Sequence, residues 1–198
     1  MEARQAVARR ETGETKIHLS LNLDGSGRGA VATGVGFLDH MLELLAYHSG
    51  IDLEIQAEGD LHVDQHHVVE DVGLALGRAT AEALGERRGI RRYGWALIPM
   101  DEVLAAAAVD LGGRPAFVTD YRPEWAQVGT FPTELVSHFC RSWANEARAA
   151  LHLRLLTPGE NEHHRVEAMF KAWAYALGAA VTRRVERVQQ IPSTKGSL

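Results

Sequence analysis

Two stretches of the chain carry the same five-residue set of metal-binding side chains. His66-His67-Val68-Val69-Glu70 and His163-His164-Arg165-Val166-Glu167 both read H-H-x-x-E. Imidazole and carboxylate together suit manganese, iron, nickel, zinc or cobalt, and the lack of nearby cysteine argues against a thiolate site. On a helix, His67 and Glu70 share a face, as do His164 and Glu167. The first His of each pair sits about 100° round the helix from the second, so adjacent imidazoles aim at different points. The pattern predicts two ions, each fed by parts of both copies.

A third histidine precedes each copy at nearly the same offset, His40 before His66 and His138 before His163. Both lie near the start of helical patterns, Leu38-Asp39-His40-Met41-Leu42 and Val136-Ser137-His138-Phe139-Cys140. Leu23-Asp24-Gly25-Ser26-Gly27-Arg28 likewise matches Val109-Asp110-Leu111-Gly112-Gly113-Arg114. Three matches in one order indicate an internal duplication with units of roughly 90–100 residues, divided here as 1–92 and 93–198. A lone His pair is more simply a helix end in solvent. The recurrence of the whole kit argues for metal, with three His and one Glu per ion. That set leaves coordination positions open, as catalytic sites do. Asp71, next to Glu70, is either a carboxylate behind the ligands or a favourable charge in a first helical turn.

The positioning elements follow from periodicity. Ile17 to Leu23 alternates and reads as a half-buried strand, after an extended segment over 3–10. Asp24-Gly25-Ser26-Gly27 is a turn, and Ala30–Thr33 reads as the return strand of a hairpin. Asp39 is a candidate cap for a helix that ends at Ser49-Gly50. Ile51–Ala57 is a strand, Leu61–Val63 a short extended piece, and Asp64 the cap of a helix from His66 to about Leu84. The second unit reads as strands at 95–99, 103–111 and 115–119, a helix at 133–147, a strand at 151–155 and a helix at 163–187. Each unit is thus strands, helix, strand, helix: an α+β fold of duplicated sheet-and-helix units packed as one body.

The totals exclude several classes. A net charge of −5 over 198 residues gives no basic footprint for nucleic acid. No apolar run is long enough to span a bilayer, and the N-terminus lacks an apolar signal core. The single cysteine, Cys140, rules out an internal disulfide framework, suits a reducing cytoplasm and reads as a buried apolar residue. Lone basic residues such as Arg92, Arg114 and Lys171 are usually solvated. Ser193 and Lys195, in the polar tail Ile191–Gly196, read from composition as a frayed polar tail, with a mobile segment that folds over an anion as the functional alternative. His18, His48, His62 and His152 are surface or structural by default, with more doubt for His48 and His152.

Longer text now becomes recognisable: Thr33-Gly34-Val35-Gly36-Phe37-Leu38-Asp39-His40-Met41, Val63-Asp64-Gln65-His66-His67-Val68-Val69-Glu70-Asp71, Pro99-Met100-Asp101-Glu102, and Pro192-Ser193-Thr194-Lys195-Gly196. This text resembles the imidazoleglycerol-phosphate dehydratases of histidine biosynthesis, almost end to end. The resemblance implies two-layer α/β sandwich units of the ribosomal protein S5 domain 2-like type. It implies two Mn²⁺ per active site and a homo-oligomer of 24 copies with sites at subunit contacts. The implied reaction is loss of water from imidazole glycerol phosphate to give imidazole acetol phosphate. The implied ligands are His40, His66, His67, Glu70, His138, His163, His164 and Glu167, the set already reached from the duplication. Pseudo-symmetry groups His40, His67, Glu70 and His163 on one ion and His66, His138, His164 and Glu167 on the other. Glu14 corresponds to the expected base. Arg92, Arg114, Lys171, Ser193 and Lys195 correspond to phosphate contacts, and Thr194 and His48 join the substrate-binding set.

The sequence departs from the family text at Val68, Gly112, Cys140 and Tyr175, where threonine, serine, phenylalanine and arginine are usual, and none of these removes a ligand. The length leaves no room for the phosphatase domain that some relatives carry. The rival reading is a metal-stapled assembly protein whose His/Glu sites join copies without chemistry.

Overall fold

The computed structural model describes residues 3–196. The first unit contains β1 (Gln5–Glu11), β2 (Thr15–Asn22), β3 (Gly29–Ala32), α1 (Gly36–Ser49), β4 (Asp52–Gly59) and α2 (His66–Leu84). The second contains β5 (Tyr93–Met100), β6 (Val103–Asp110), β7 (Ala116–Thr119), a two-strand insertion β8 (Gln127–Val128) and β9 (Phe131–Pro132), α3 (Glu134–Glu146), β10 (Ala150–Thr157) and α4 (Glu162–Val181). The sheets have the orders β1-β2-β4-β3 and β5-β6-β10-β7. Matching topology, element for element, is the structural form of the duplication.

Alternation decides which face of each sheet is buried. Thr15, Ile17, Leu19 and Leu21 of β2 point inward, as do Val103, Ala105, Ala107 and Val109 of β6. The inner faces carry α2 over β1 and β2, and α4 over β5 and β6. The helices also meet across units, α2 against α3 and α1 against α4. One hydrophobic cluster therefore runs through both halves, with Phe139, Trp143, Phe170 and Trp173 among its largest members. No helix among the described residues is long and apolar enough to cross a membrane.

Four local expectations need correction. Ala30–Thr33 is not a hairpin return: β3 pairs parallel to β4, at the far side of β4 from β2. Parallel neighbours need a crossover, which α1 provides. Leu61–Val63 is a turn closed by Val63 N–H donating to Asp60 O at 2.7 Å. Asp39 lies inside α1 rather than capping it, and accepts from Thr33 N–H at 2.9 Å. The last helix stops at Val181, because the chain turns at Thr182 so that Arg183 can bridge to Ile90. Only a 3-10 turn over Val185–Arg187 follows.

Candidate metal centre and substrate pocket

Both H-H-x-x-E copies open a helix, and both are held by a polar residue two positions upstream. Asp64 Oδ1 accepts from His66 N–H at 2.7 Å, and Asn161 Oδ1 accepts from His163 N–H at 2.9 Å. These bonds satisfy donors that a helix start leaves open. They also present the two histidines of each pair alike. The rings of His66 and His67 stand 6.1 Å apart at 78°, and those of His163 and His164 stand 6.3 Å apart at 82°.

The glutamates sort by i,i+4 spacing. Glu167 Oε2 lies 3.0 Å from His163 Nε2 and 3.5 Å from His40 Nε2, so three donors from α1 and α4 converge on one point. In the other copy Glu70 Oε2 lies 3.4 Å from His66 Nε2, and the His66 ring packs 4.9 Å from that of His138. Within one chain His40, His163 and Glu167 form one triad, while His66 meets Glu70 and packs beside His138. The glutamates are exchanged relative to the pseudo-symmetric grouping drawn from the sequence. In each copy it is the first His, one turn before the Glu, that meets it, and the second His turns away.

His67 and His164 face other carboxylates. His67 Nδ1 is 3.0 Å from Asp60 Oδ2 and 3.7 Å from Glu14 Oε2. His164 Nδ1 is 3.0 Å from Glu102 Oε2, and its Nε2 is 3.7 Å from Asp101 Oδ2. The bond to Asp60 raises the His67 pKa above its ordinary value, outweighing desolvation, and the Asp60, Glu14 and Asp64 charges add to the rise. Glu102 is pulled down to about 2 by the His164 ring and by backbone N–H groups. Asp60, Asp101 and Glu102 were given no role from the sequence, where Asp101 and Glu102 stood only within the family text and each sits in a turn without periodic signal. Asp71 reaches the β1–β2 hairpin, bonding Thr15 Oγ1 and pairing with Arg10 at 2.7 Å. It thereby fixes the strand end beside Glu14.

Burial pushes the Glu167 pKa up, but Lys171 at 2.7 Å and the His163 and His40 rings outweigh it, and the net shift is down. Glu167 is thus an ionised carboxylate, one oxygen held by a lysine and the other turned to two imidazoles. His48 lies between the rings of Tyr47 and Tyr175, at 5.1 and 5.3 Å. Burial, with help from the Lys171 charge, lowers its pKa.

The remaining substrate-set residues lie together elsewhere. Arg92, Arg114, Ser193, Thr194 and Lys195 line a cavity of about 630 Å³, joined by Arg91, Arg184 and Arg187. No carboxylate lines it among the described residues. Arg92 forms the wall: it is buried, bonds Asp110 at 2.7 and 3.1 Å, and donates to Pro192 O at 2.9 Å. The tail Ile191–Lys195 therefore lines this pocket. Lys171 and His48 do not line it; they sit on the side of Glu167. Arg184 and Arg187 were missed because the sequence placed them in a helix.

A duplicated α+β fold that gathers imidazoles and carboxylates at matching helix starts, with a separate cationic pocket, defines a class of protein whose side chains are compatible with a bound metal ion. The profile of the imidazoleglycerol-phosphate dehydratases matches residues 33–177. The chain belongs to that family. The imidazoleglycerol-phosphate dehydratase of Rhodopirellula baltica is 53% identical over 99% of this chain and 96% of its own. The histidine biosynthesis bifunctional protein of Spirosoma linguale is 49% identical, and this chain spans 50% of its length. The crystal structure of the dehydratase from Staphylococcus aureus superposes with a TM-score of 0.81 at 40% identity, covering 90% of this chain and 99% of that one.

Proposed function

We propose that the chain is a hydro-lyase of L-histidine biosynthesis that removes water from imidazole glycerol phosphate to give imidazole acetol phosphate. We assign it two Mn²⁺ per active site and a cytoplasmic homo-oligomer of 24 copies whose contacts complete the sites. The carrying observation is the meeting of His40 Nε2, His163 Nε2 and Glu167 Oε2. This donor set, imidazole nitrogen and carboxylate oxygen without thiolate, fits Mn²⁺. His40, His163 and Glu167 would hold one ion and His66, Glu70 and His138 the other, with His67 and His164 supplying the remaining ligands. When bound, the ions supply Lewis acidity to the substrate's imidazole ring and a template that fixes its register.

The chain's own groups do the rest. The proton to be lost has no neighbouring carbonyl to acidify it, so its acceptor must be well placed. Glu14, at the β1–β2 tip beside His67, offers an exposed carboxylate for that proton. Departure of hydroxide then leaves an enol, which takes up a proton at carbon to become the ketone. Arg114, Ser193, Thr194 and Lys195 would bind the phosphate by charge-assisted bonds, against the wall built by Arg92. Lys171 and His48 would reach the same phosphate from another copy. Support for assembly comes from the division of these groups within one chain. Exposed apolar side chains on the outer strands, Val7, Tyr93, Trp95 and Leu97, support it too.

The test is Glu14→Gln. Turnover should fall by about 10²–10⁴-fold, while Mn²⁺ uptake and particle size stay as in the parent protein. A near-normal rate would remove Glu14 from the role of base. A parent protein that takes up Mn²⁺ and assembles without any turnover would favour the stapled-assembly reading.

A further inference from the structure

The duplication gives the two hairpin tips equivalent glutamates in different states. Glu14 is the last residue before β2, and Glu102 the last before β6. Each faces the second His of its unit, at 3.7 Å for Glu14 and His67 and 3.0 Å for Glu102 and His164. Glu102 is tied on both oxygens. Its Oε2 meets the His164 ring, while Oε1 accepts the backbone N–H groups of Glu160 at 3.3 Å and Asn161 at 3.1 Å. Glu14 has no such anchor among the described residues; its carboxylate meets only His67. In the first unit the close contact to the ring is made by Asp60, at 3.0 and 3.2 Å from His67 Nδ1. The matching loop of the second unit brings no carboxylate of its own to the His164 ring among the described residues. It gives the Pro158 and Gly159 carbonyls to Arg165 instead.

We propose that Asp60 and Glu102 are paired positioning residues that hold His67 and His164 by Nδ1, so that each presents Nε2 to metal. The inference rests on the metal-centre reading above. A carboxylate in these contacts can only accept, so Nδ1 carries the proton and donates it. The lone pair is then on Nε2 and the ring is fixed in rotation, which is how carboxylates behind ligating histidines act. Asp101 and Glu102 with His164 form a compact three-donor group. Both Glu102 oxygens are already engaged, so we assign that group to orienting the ring. The same logic accounts for the divergence of the twins. With Asp60 holding His67, Glu14 is left unanchored and available for proton transfer, whereas Glu102 is committed to holding His164.

The test is calorimetric titration of Mn²⁺ into the chelator-stripped full chain, for the parent protein, Asp60→Asn, Glu102→Gln and Glu14→Gln. Asp60→Asn and Glu102→Gln should each weaken uptake about 10–100-fold, and excess Mn²⁺ should restore most of the turnover. Glu14→Gln should bind Mn²⁺ as the parent does. Parent-like affinity in both positioning variants would overturn the proposal. So would equal weakening by Glu14→Gln, which would make the loss a general effect of local charge. Should Glu102→Gln misfold for want of its backbone contacts, Asp60→Asn decides alone, because among the described residues the Asp60 carboxylate bonds only the His67 ring. A parent protein that binds no Mn²⁺ overturns the metal-centre reading, and the positioning role with it.

Discussion

Arg92 and Arg114 line the same cavity, yet their surroundings give them different work. Asp110 and the Pro192 carbonyl already use Arg92, which the Asp110 carboxylate holds more strongly protonated than usual. Arg114 is exposed and has no carboxylate partner among the described residues. Arg114→Ala should therefore raise KM for the phosphate substrate about 10–100-fold, the equivalent of one hydrogen bond to a charged group at about 1.5–3 kcal/mol, without changing the melting temperature. Arg92→Ala should also lower stability, by about 1–3 kcal/mol, because Asp110 and a carbonyl lose their donor. Steady-state kinetics and thermal melts on both variants check the pair. An unchanged KM in Arg114→Ala would take that residue out of the phosphate site.

The elements are locked by glycines at points where no side chain fits. A Cβ on Gly77 of α2 would lie 2.6 Å from Trp143 O of α3, and one on Gly94 of β5 would collide with Ala176 O of α4. Gly77→Ala should cost about 1–3 kcal/mol by forcing α2 away from α3, and Gly94→Ala more. Denaturant titration measures both, and an unaffected Gly77→Ala would mean that the two helices yield freely. Such contacts mark the limit of what the sequence discloses. α2 was legible from His66 to Leu84 because local signals bound it, Asp64 at its start and Gly85 at its end. β3 was misassigned because alternation says which face is buried and nothing about which strand is the partner. α4 was drawn past Val181 because residues 182–187 are compatible with helix, and only the bridge to Ile90 ends it. Repetition exposed the eight proposed metal ligands. Asp60 and Glu102 stand outside the repeated H-H-x-x-E text and reach their histidines only through the fold.

Across the whole molecule, Asp24 joins the beginning of the chain to its end. It pairs with Arg4 at 2.7 Å and with Arg183 at 2.8 Å. Burial pushes the Asp24 pKa up, but these two arginines outweigh it and hold the carboxyl well below its usual range. A lowered pKa contributes stability that is present above the ordinary value of 3.8 and is lost as pH falls through the folded-state value. Asp24→Asn should thus lower the melting temperature at neutral pH and flatten its decline on the acid side. A variant whose acid limb matches that of the parent would contradict this role. The proposed function belongs to the same scale, since the candidate metal donors and the cationic pocket occupy separate places in one chain. The most direct measurement is product formation from imidazole glycerol phosphate by chelator-stripped protein, with and without added Mn²⁺. Dehydration that vanishes on stripping and returns with Mn²⁺ is the predicted result. Full activity in metal-free protein, or none in the Mn²⁺-loaded protein, would contradict it.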